Sequence, residues 1–294
     1  MRLECAARNQ QLFLRRMKSR ALFVSFLVCF ATPSWTQSML PLYDLQQKKP
    51  ATVFLPKALD EISGLAYSSD GKLFAHDDEE STIYQIDEKT GSIVKKFFLK
   101  PKVFDDFEGI AIARGKLYLV TSNGDLYEFA EGKNEDRVSY NIYHTELKQS
   151  NDVEGLCYDP ATNALLLACK DFPGKGYDGN RSVYAFSLRT MKLETKPRLL
   201  ISLAKIESAT RHNVFKPSGI ERHPTSGTFF ILAANGESIV EVSKDGALLG
   251  QMTFPKNVHP QAEGITFSSD NTLIISNEAA SGRAKLLRYP MKKK

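Results

Sequence analysis

Three glutamates each stand directly before a glycine in the same short phrase: Phe107-Glu108-Gly109-Ile110, Val153-Glu154-Gly155-Leu156 and Ala262-Glu263-Gly264-Ile265. Carboxylates brought to equivalent places by a repeat are forced together, and they stay ionised only where a cation neutralises them. A second set follows the phrases at a similar offset: Asp78, Ser122, Asp171, Asn235 and Glu278, with Asp77, Asn123 and Asn277 beside them. Nearly every one offers an oxygen. Oxygen donors with no histidine–cysteine cluster nearby favour calcium, a hard ion that takes about six to eight oxygens, over zinc. The candidate metal ligands are therefore Glu108, Glu154, Glu263, Asp78, Asp171, Asn235 and Asn277. Taken singly, an acidic residue before a strand is a solvated or amide-capping group, and Asp77-Asp78-Glu79-Glu80 is a solvated loop. Repetition in register is what turns the reading toward metal.

The element that must position these residues is the repeat itself. The phrase occurs five times, the other copies being Ser63-Gly64-Leu65 and Pro217-Ser218-Gly219-Ile220, and successive glycines are 45, 46, 64 and 45 residues apart. A fixed period in this range marks a propeller or related repeat architecture. Each copy continues through short apolar or alternating runs separated by Gly, Asp, Asn and Ser turns, four runs to a repeat. The expected fold is all-β, a five-bladed β-propeller of four-stranded antiparallel blades, with six blades as the alternative. The 64-residue interval is too short for two blades, so its extra length is read as insertions in the third. One of these, Asp171 to Asn180, is a candidate lid or partner loop in which Asp178 and Asn180 could also be ligands; Leu203 to Asn213 is read as holding a short helix. In such a ring the first strand of every blade lines the central channel. Glycine recurs there because a side chain would crowd the next blade.

Residues 1–36 stand apart from the repeats. Arg15, Arg16, Lys18 and Arg20 precede an apolar run from Ala21 to Ala31, the pattern of a signal peptide or an N-terminal membrane anchor. Residues 37–294 then form a single propeller domain. The leader carries six of the 39 basic residues and one of the 34 acidic ones, which leaves 33 of each. The formal charge of +5 thus belongs to the leader, so no nucleic-acid partner is expected and membrane attachment is expected only through the N-terminal segment. Cys157 and Cys169 remain in the domain. Counting back from the turn Asp159–Asn163 sets Tyr158 opposite Leu165 and Cys169 opposite Glu154, a poor geometry for a disulfide, so both are read as buried free thiols.

The fifth repeat ends after its third strand. Ala51-Thr52-Val53-Phe54-Leu55-Pro56, ahead of the first repeat, supplies the missing one, and its pairing with the last blade would close the ring. With these phrases in this order behind a signal-like leader, residues 40 to 290 resemble the SdiA-regulated (YjiK-like) family of exported bacterial propellers. That resemblance implies a five-bladed propeller with a bound calcium ion, distantly related to propellers with NHL repeats, located in the periplasm or on the outer side of the cytoplasmic membrane. It carries no settled reaction. The chain departs from the pattern in its long third-blade insertion and in Ser63 and Ser218 where glutamate would stand.

Nucleophile elbows, zinc-protease, phosphate-loop and Cys-x-x-Cys motifs are absent, and no catalytic residue is assigned. His76, at the end of a second strand, is the one histidine placed to act as a base near the ion. The expected function is an exported calcium-binding propeller acting as a binding or scaffold module, with an unidentified small-molecule or protein ligand at the channel mouth. The alternative is a calcium-dependent hydrolase of phytase-like or lactonase-like chemistry. A third reading gives the ion a purely structural role and leaves recognition to the outer loops.

Overall fold

A computed structural model describes residues 37–78, 80–206, 214–255, 257–280 and 282–293. The leader at 1–36 lies outside them, and so does 207–213 of the expected helical segment, of which Leu203–Ile206 is helical. No helix among the described residues is long and apolar enough to cross a membrane.

Each repeat becomes one antiparallel sheet, and the five sheets form a five-bladed propeller. The first blade shows how the sequence does this. Strand Ile62–Tyr67 turns back into Leu73–Asp77, followed by Thr82–Ile86 and Ile93–Leu99. The first turn is closed by Gly71 N–H on the Ser68 carbonyl at 3.0 Å, with Gly71 at φ 85°, where a side chain would be strained. The later inner strands are Phe107–Ala113, Val153–Asp159, Gly219–Arg222 and Ala262–Phe267.

Five apolar clusters fill the wedges between neighbouring blades, one cluster to each wedge. Every blade is therefore covered on both faces, which is why strands such as Ala164–Cys169 are buried at every position instead of alternating. The two cysteines fall in this core, and both are free. Tyr158 does face Leu165, but Cys169 faces Val153 instead of Glu154, because the strand bulges at Glu154.

The ring closes as the repeat count requires. Ala51–Phe54 pairs with Lys285–Tyr289, from Ala51 opposite Arg288 to Phe54 opposite Lys285, as the outer strand of the fifth blade. A second tie lies just upstream, where Leu40, Tyr43 and Leu45 fill the wedge between blades four and five. There the fully buried carboxylate of Glu241 accepts hydrogen bonds from Ser38 Oγ at 2.7 Å, Met39 N at 2.6 Å and Thr228 Oγ1 at 2.6 Å.

The third-blade insertions split the outer edge of that blade. Lys192–Leu193 and Leu199–Ser202 both pair with Asn180–Ser187, at different points along it. The loop from Asp171 to Asn180 is pinned to the blade: Tyr184 Oη donates to the Pro173 carbonyl at 3.0 Å, and Asn151 Nδ2 to the Phe172 carbonyl at 2.8 Å. Asn180 uses its side-chain amide on the carbonyls of Tyr177 and Asp178, closing its own turn.

Candidate metal site at the channel mouth

In four blades the pairing of the two inner strands slips next to the repeated glycine: between Ile62 and Gly64, Phe107 and Gly109, Val153 and Gly155, and Ala262 and Ile265. A bulge adds a residue and re-aims the side chain it carries. The residues so placed are Ser63, Glu108, Glu154 and Glu263. In the fourth blade Gly219 pairs with Leu232 without a slip. Ser218 there donates its hydroxyl to the Ala262 carbonyl at 2.7 Å, and Ser63 donates to the Glu108 carbonyl at 3.1 Å. The two serines that replace glutamate thus tie one blade to the next.

The glycines are dictated by close approach. A Cβ on Gly109 would lie 2.8 Å from Leu156 N, and one on Gly219 would lie 2.3 Å from the Glu263 carbonyl oxygen. The space enclosed where the five phrases meet is about 10 Å³, room for about one water molecule or ion.

The three predicted glutamates meet electrostatically. Burial pushes the Glu108 carboxyl well above its usual range, and Glu154, Asp106 and Glu263 push it further. Glu263, 8% exposed, is raised by burial, then by Glu154 and Glu278. Glu154, 6% exposed, is raised by burial while Lys170 draws it down. Glu278 is pushed up to about 7 by burial, Glu61, Asp78 and Glu154. The Lys170 ammonium bonds Glu154 directly. Burial opposes its charge, but Glu154, Asp152 and Glu263 outweigh that and hold it firmly protonated.

The second set comes together only in part. Asp78, Ser122, Lys170 and Glu278 donate their backbone N–H to the carbonyls of Glu61, Asp106, Asp152 and Gln261, at 3.3, 2.9, 2.7 and 3.1 Å. Each acceptor sits two residues before the residue that precedes the glycine, so these four are the equivalent positions. Lys170 therefore holds the place expected for Asp171. Asp171 lies one step further out, with its carboxylate on Lys216 at 2.7 Å and its pKa lowered by that contact. In blade four Ala234 holds the corresponding level, donating N–H to Ser218 Oγ at 3.1 Å. Asn235 instead lines a cavity of about 210 Å³ beside the mouth, with Glu154, Lys170, Lys216, Gln261 and Glu263. The hairpin turns differ in length from blade to blade, and the positions expected from the sequence fall one residue too far along in blades three and four. Asn277 points elsewhere: it faces Ala262 across the pair and its amide contacts His259 Nδ1 at 3.1 Å, inside the wedge between blades four and five. Asp78 lines a separate cavity of about 250 Å³ with Glu61, Asp77 and Glu80. The lysine in the ring was visible in the sequence as the one basic residue near these columns; its pairing with Glu154 was not.

Among the described residues no group of three or more His, Cys, Asp and Glu is already arranged to hold a metal ion. The donor chemistry fits a hard cation all the same. Glu108 and Glu263 are carboxyls pushed up by burial and by neighbouring carboxylates, with Lys170 the cation that offsets them, so the mouth is short of positive charge. Glu108 and Glu263 would hold the ion, with Ser63 Oγ, 3.4 Å from Glu108 Oε2, beside them. His76 is no base for this mouth. Its imidazole is fully buried in the space left by Gly64, whose Cβ would lie 2.6 Å from Nε2, and burial lowers its pKa to about 4.

The SdiA-regulated family model matches residues 43–281. The chain belongs to the SdiA-regulated family. No curated protein matches it. Among solved structures, this SdiA-regulated propeller is similar to Myxococcus xanthus glutaminyl cyclase, at 13% identity and TM-score 0.53, covering 82% of this chain and 94% of that one. The PQQ-bound aldose sugar dehydrogenase of Streptomyces coelicolor gives 13% identity and TM-score 0.51 over 83% of this chain and 99% of that one. The Xanthomonas campestris gluconolactonase gives 15% and 0.50 over 78% and 72%. At such identities the likeness is one of fold, and it carries none of these activities across.

Proposed function

We propose that this SdiA-regulated propeller is an exported binding module that holds a calcium ion at its acidic mouth and presents a polar ligand site there. The supporting observation is the convergence of Glu108, Glu154 and Glu263 from three blades, each lifted above its usual range. A bound calcium ion would supply the positive charge that these groups lack and would rigidify the mouth. Lys170, Lys216, Asn235 and Gln261 line the adjoining cavity and would orient a small polar ligand or an acidic loop of a protein partner. The hydrolase alternative loses the histidine it would use as a base, because His76 is enclosed.

The test is a thermal melt of the protein in EDTA and again with excess calcium, beside a Glu108→Gln, Glu263→Gln double variant. A ligand that binds only the folded state adds about 2.7 kcal/mol at one hundred times its dissociation constant. For a domain of this size that is a rise of about 5–11 °C. A calcium-dependent rise in the parent that is lost in the variant is expected. An equal rise in both proteins would put the ion elsewhere, and no rise in either would remove calcium from the reading.

A further inference from the structure

A large cavity lies away from the acidic mouth. It is a funnel of about 730 Å³ where the turns between the first and second strands of the blades gather. That volume is in the range of small-molecule sites, and its walls are formed in part by Tyr67, Phe74, Tyr158 and Phe267. The funnel also reaches one residue without a counterpart in the other blades. Two residues beyond each repeated glycine stand Ala66, Ala111, Cys157, Glu221 and Thr266. Four are small, and the fourth blade alone puts a carboxylic acid there.

Of the charged groups around the funnel, Asp70, Glu131 and Arg222 are held in ion pairs, and Arg114 is turned onto a backbone carbonyl. Asp70 pairs with Lys72 at 2.7 Å, and Glu131 with Lys72 at 3.0 Å and also with Lys95. Arg222 turns its Nε to Asp159 at 3.1 Å, and Arg114 turns onto the Leu188 carbonyl at 3.4 Å. Glu221 Oε1 accepts the backbone N–H of Arg222 at 2.7 Å, and Oε2 lies 3.5 Å from Thr266 Oγ1. Among the described residues it makes no ion pair. We infer that this funnel is a second ligand site, independent of the acidic mouth, which takes a small organic amine: the ammonium group on the Glu221 carboxylate and the apolar body against Phe74 and Phe267.

The choice of an amine follows from charge. An anionic ligand would compete with Asp159 for Arg222 and with the Leu188 carbonyl for Arg114, whereas among the described residues no lysine or arginine forms an ion pair with Glu221. Facing Glu221 are Cys157 of blade three, Thr266 of blade five and Arg222 of its own strand. Burial and then Glu221 itself raise the Cys157 thiol far above neutrality, so only Arg222 is charged there. Burial pushes Glu221 up to about 8, against the lowering effect of its hydrogen bonds and of Arg222. Near neutral pH the acid therefore carries a proton, and seating an ammonium group drives that proton into solution. The step balances: the amine arrives as R–NH3+, Glu221 goes from acid to carboxylate, and one proton leaves.

Isothermal titration of the full chain with 2-phenylethylamine, 2-phenylethanol and 3-phenylpropionate, in EDTA and in calcium, tests this. The amine is expected to bind at least about tenfold tighter than the alcohol, the scale of one hydrogen bond to a charged group. It should do so with or without calcium and release a proton near pH 6.5, as read from buffers of different ionisation enthalpy, with less release at pH 9. Glu221→Gln should remove both the preference and the proton release. If that variant fails to fold, the three ligands on the parent protein still decide. Equal binding of amine and alcohol, tighter binding of the carboxylate, no amine binding at millimolar concentration, or unchanged binding in the variant would each overturn the inference.

Discussion

Gly219→Ala is the most direct perturbation of the ring, because the contact it creates is with backbone. The new Cβ would lie 2.3 Å from the Glu263 carbonyl oxygen. An ordinary contact of that kind is about 1 Å longer, so the strand that carries Glu263 must move away from blade four. The same strand is held by the Ser218 hydroxyl on the Ala262 carbonyl at 2.7 Å, and a shift stretches that bond as well. Overpacking in a close-packed interior costs about 1–3 kcal/mol, and a carbonyl fixed in a sheet belongs at the upper end. Replacing glycine returns about 0.4–1 kcal/mol through the unfolded chain. A net loss of about 2 kcal/mol lowers the melting temperature by about 4–8 °C. Two controls separate the causes. Gly132→Ala meets the Phe97 side chain at 3.0 Å instead of backbone at 2.3 Å, so the overlap is smaller and it should cost less. Gly115→Ala meets nothing within 4 Å but sits at φ 74°, so it reports backbone strain alone. Calorimetry of the three variants in EDTA is the assay. If Gly219→Ala melts no lower than Gly132→Ala, the inner strands are not in hard contact and the account of the repeated glycines fails.

Two further outcomes are expected. Above about pH 7 stability in EDTA should fall as pH rises: Glu221, raised to about 8, Glu108, raised to about 10, and Glu263, raised well above the usual carboxylate range, bind protons in the folded state that the unfolded chain has already lost. Below that window the buried His76, His223 and His259, lowered to about 4, 4 and 3, work in the opposite sense, because the unfolded chain takes up their protons as pH drops. Melting temperatures between pH 7 and 9 that stay flat in EDTA, or that fall equally with calcium present, would contradict the charge reading of the mouth. Lys170→Met should tighten calcium binding by roughly tenfold, since it removes a positive charge beside the proposed ion. Weaker binding in that variant, measured by titration calorimetry, would mean that Lys170 orders the ligands instead of competing with the ion.

The sequence by itself determined the repeat, the blade, the closing strand and the three glutamates, because each of these is written in periodicity. Glycines recur where five backbones converge, and an orphan strand at Ala51–Phe54 matches an incomplete fifth repeat. The tertiary structure decided what periodicity cannot carry. The length of each hairpin turn is not marked in the sequence, yet a shift of one residue reverses which face a side chain takes. That is why Lys170 and not Asp171 stands in the ring, and why the Asn277 amide is turned into a wedge. The pinning of the Asp171 to Asn180 loop rests on Tyr184, in the strand that follows it, and on Asn151, ahead of the preceding hairpin, and no periodicity marks either contact. Glu221 carries no signal in the sequence, because it lies two places beyond its glycine in a plain Ile-Glu-Arg stretch. Only the closing of the ring gathers the five turns into a funnel and leaves that acid lining it without a cation.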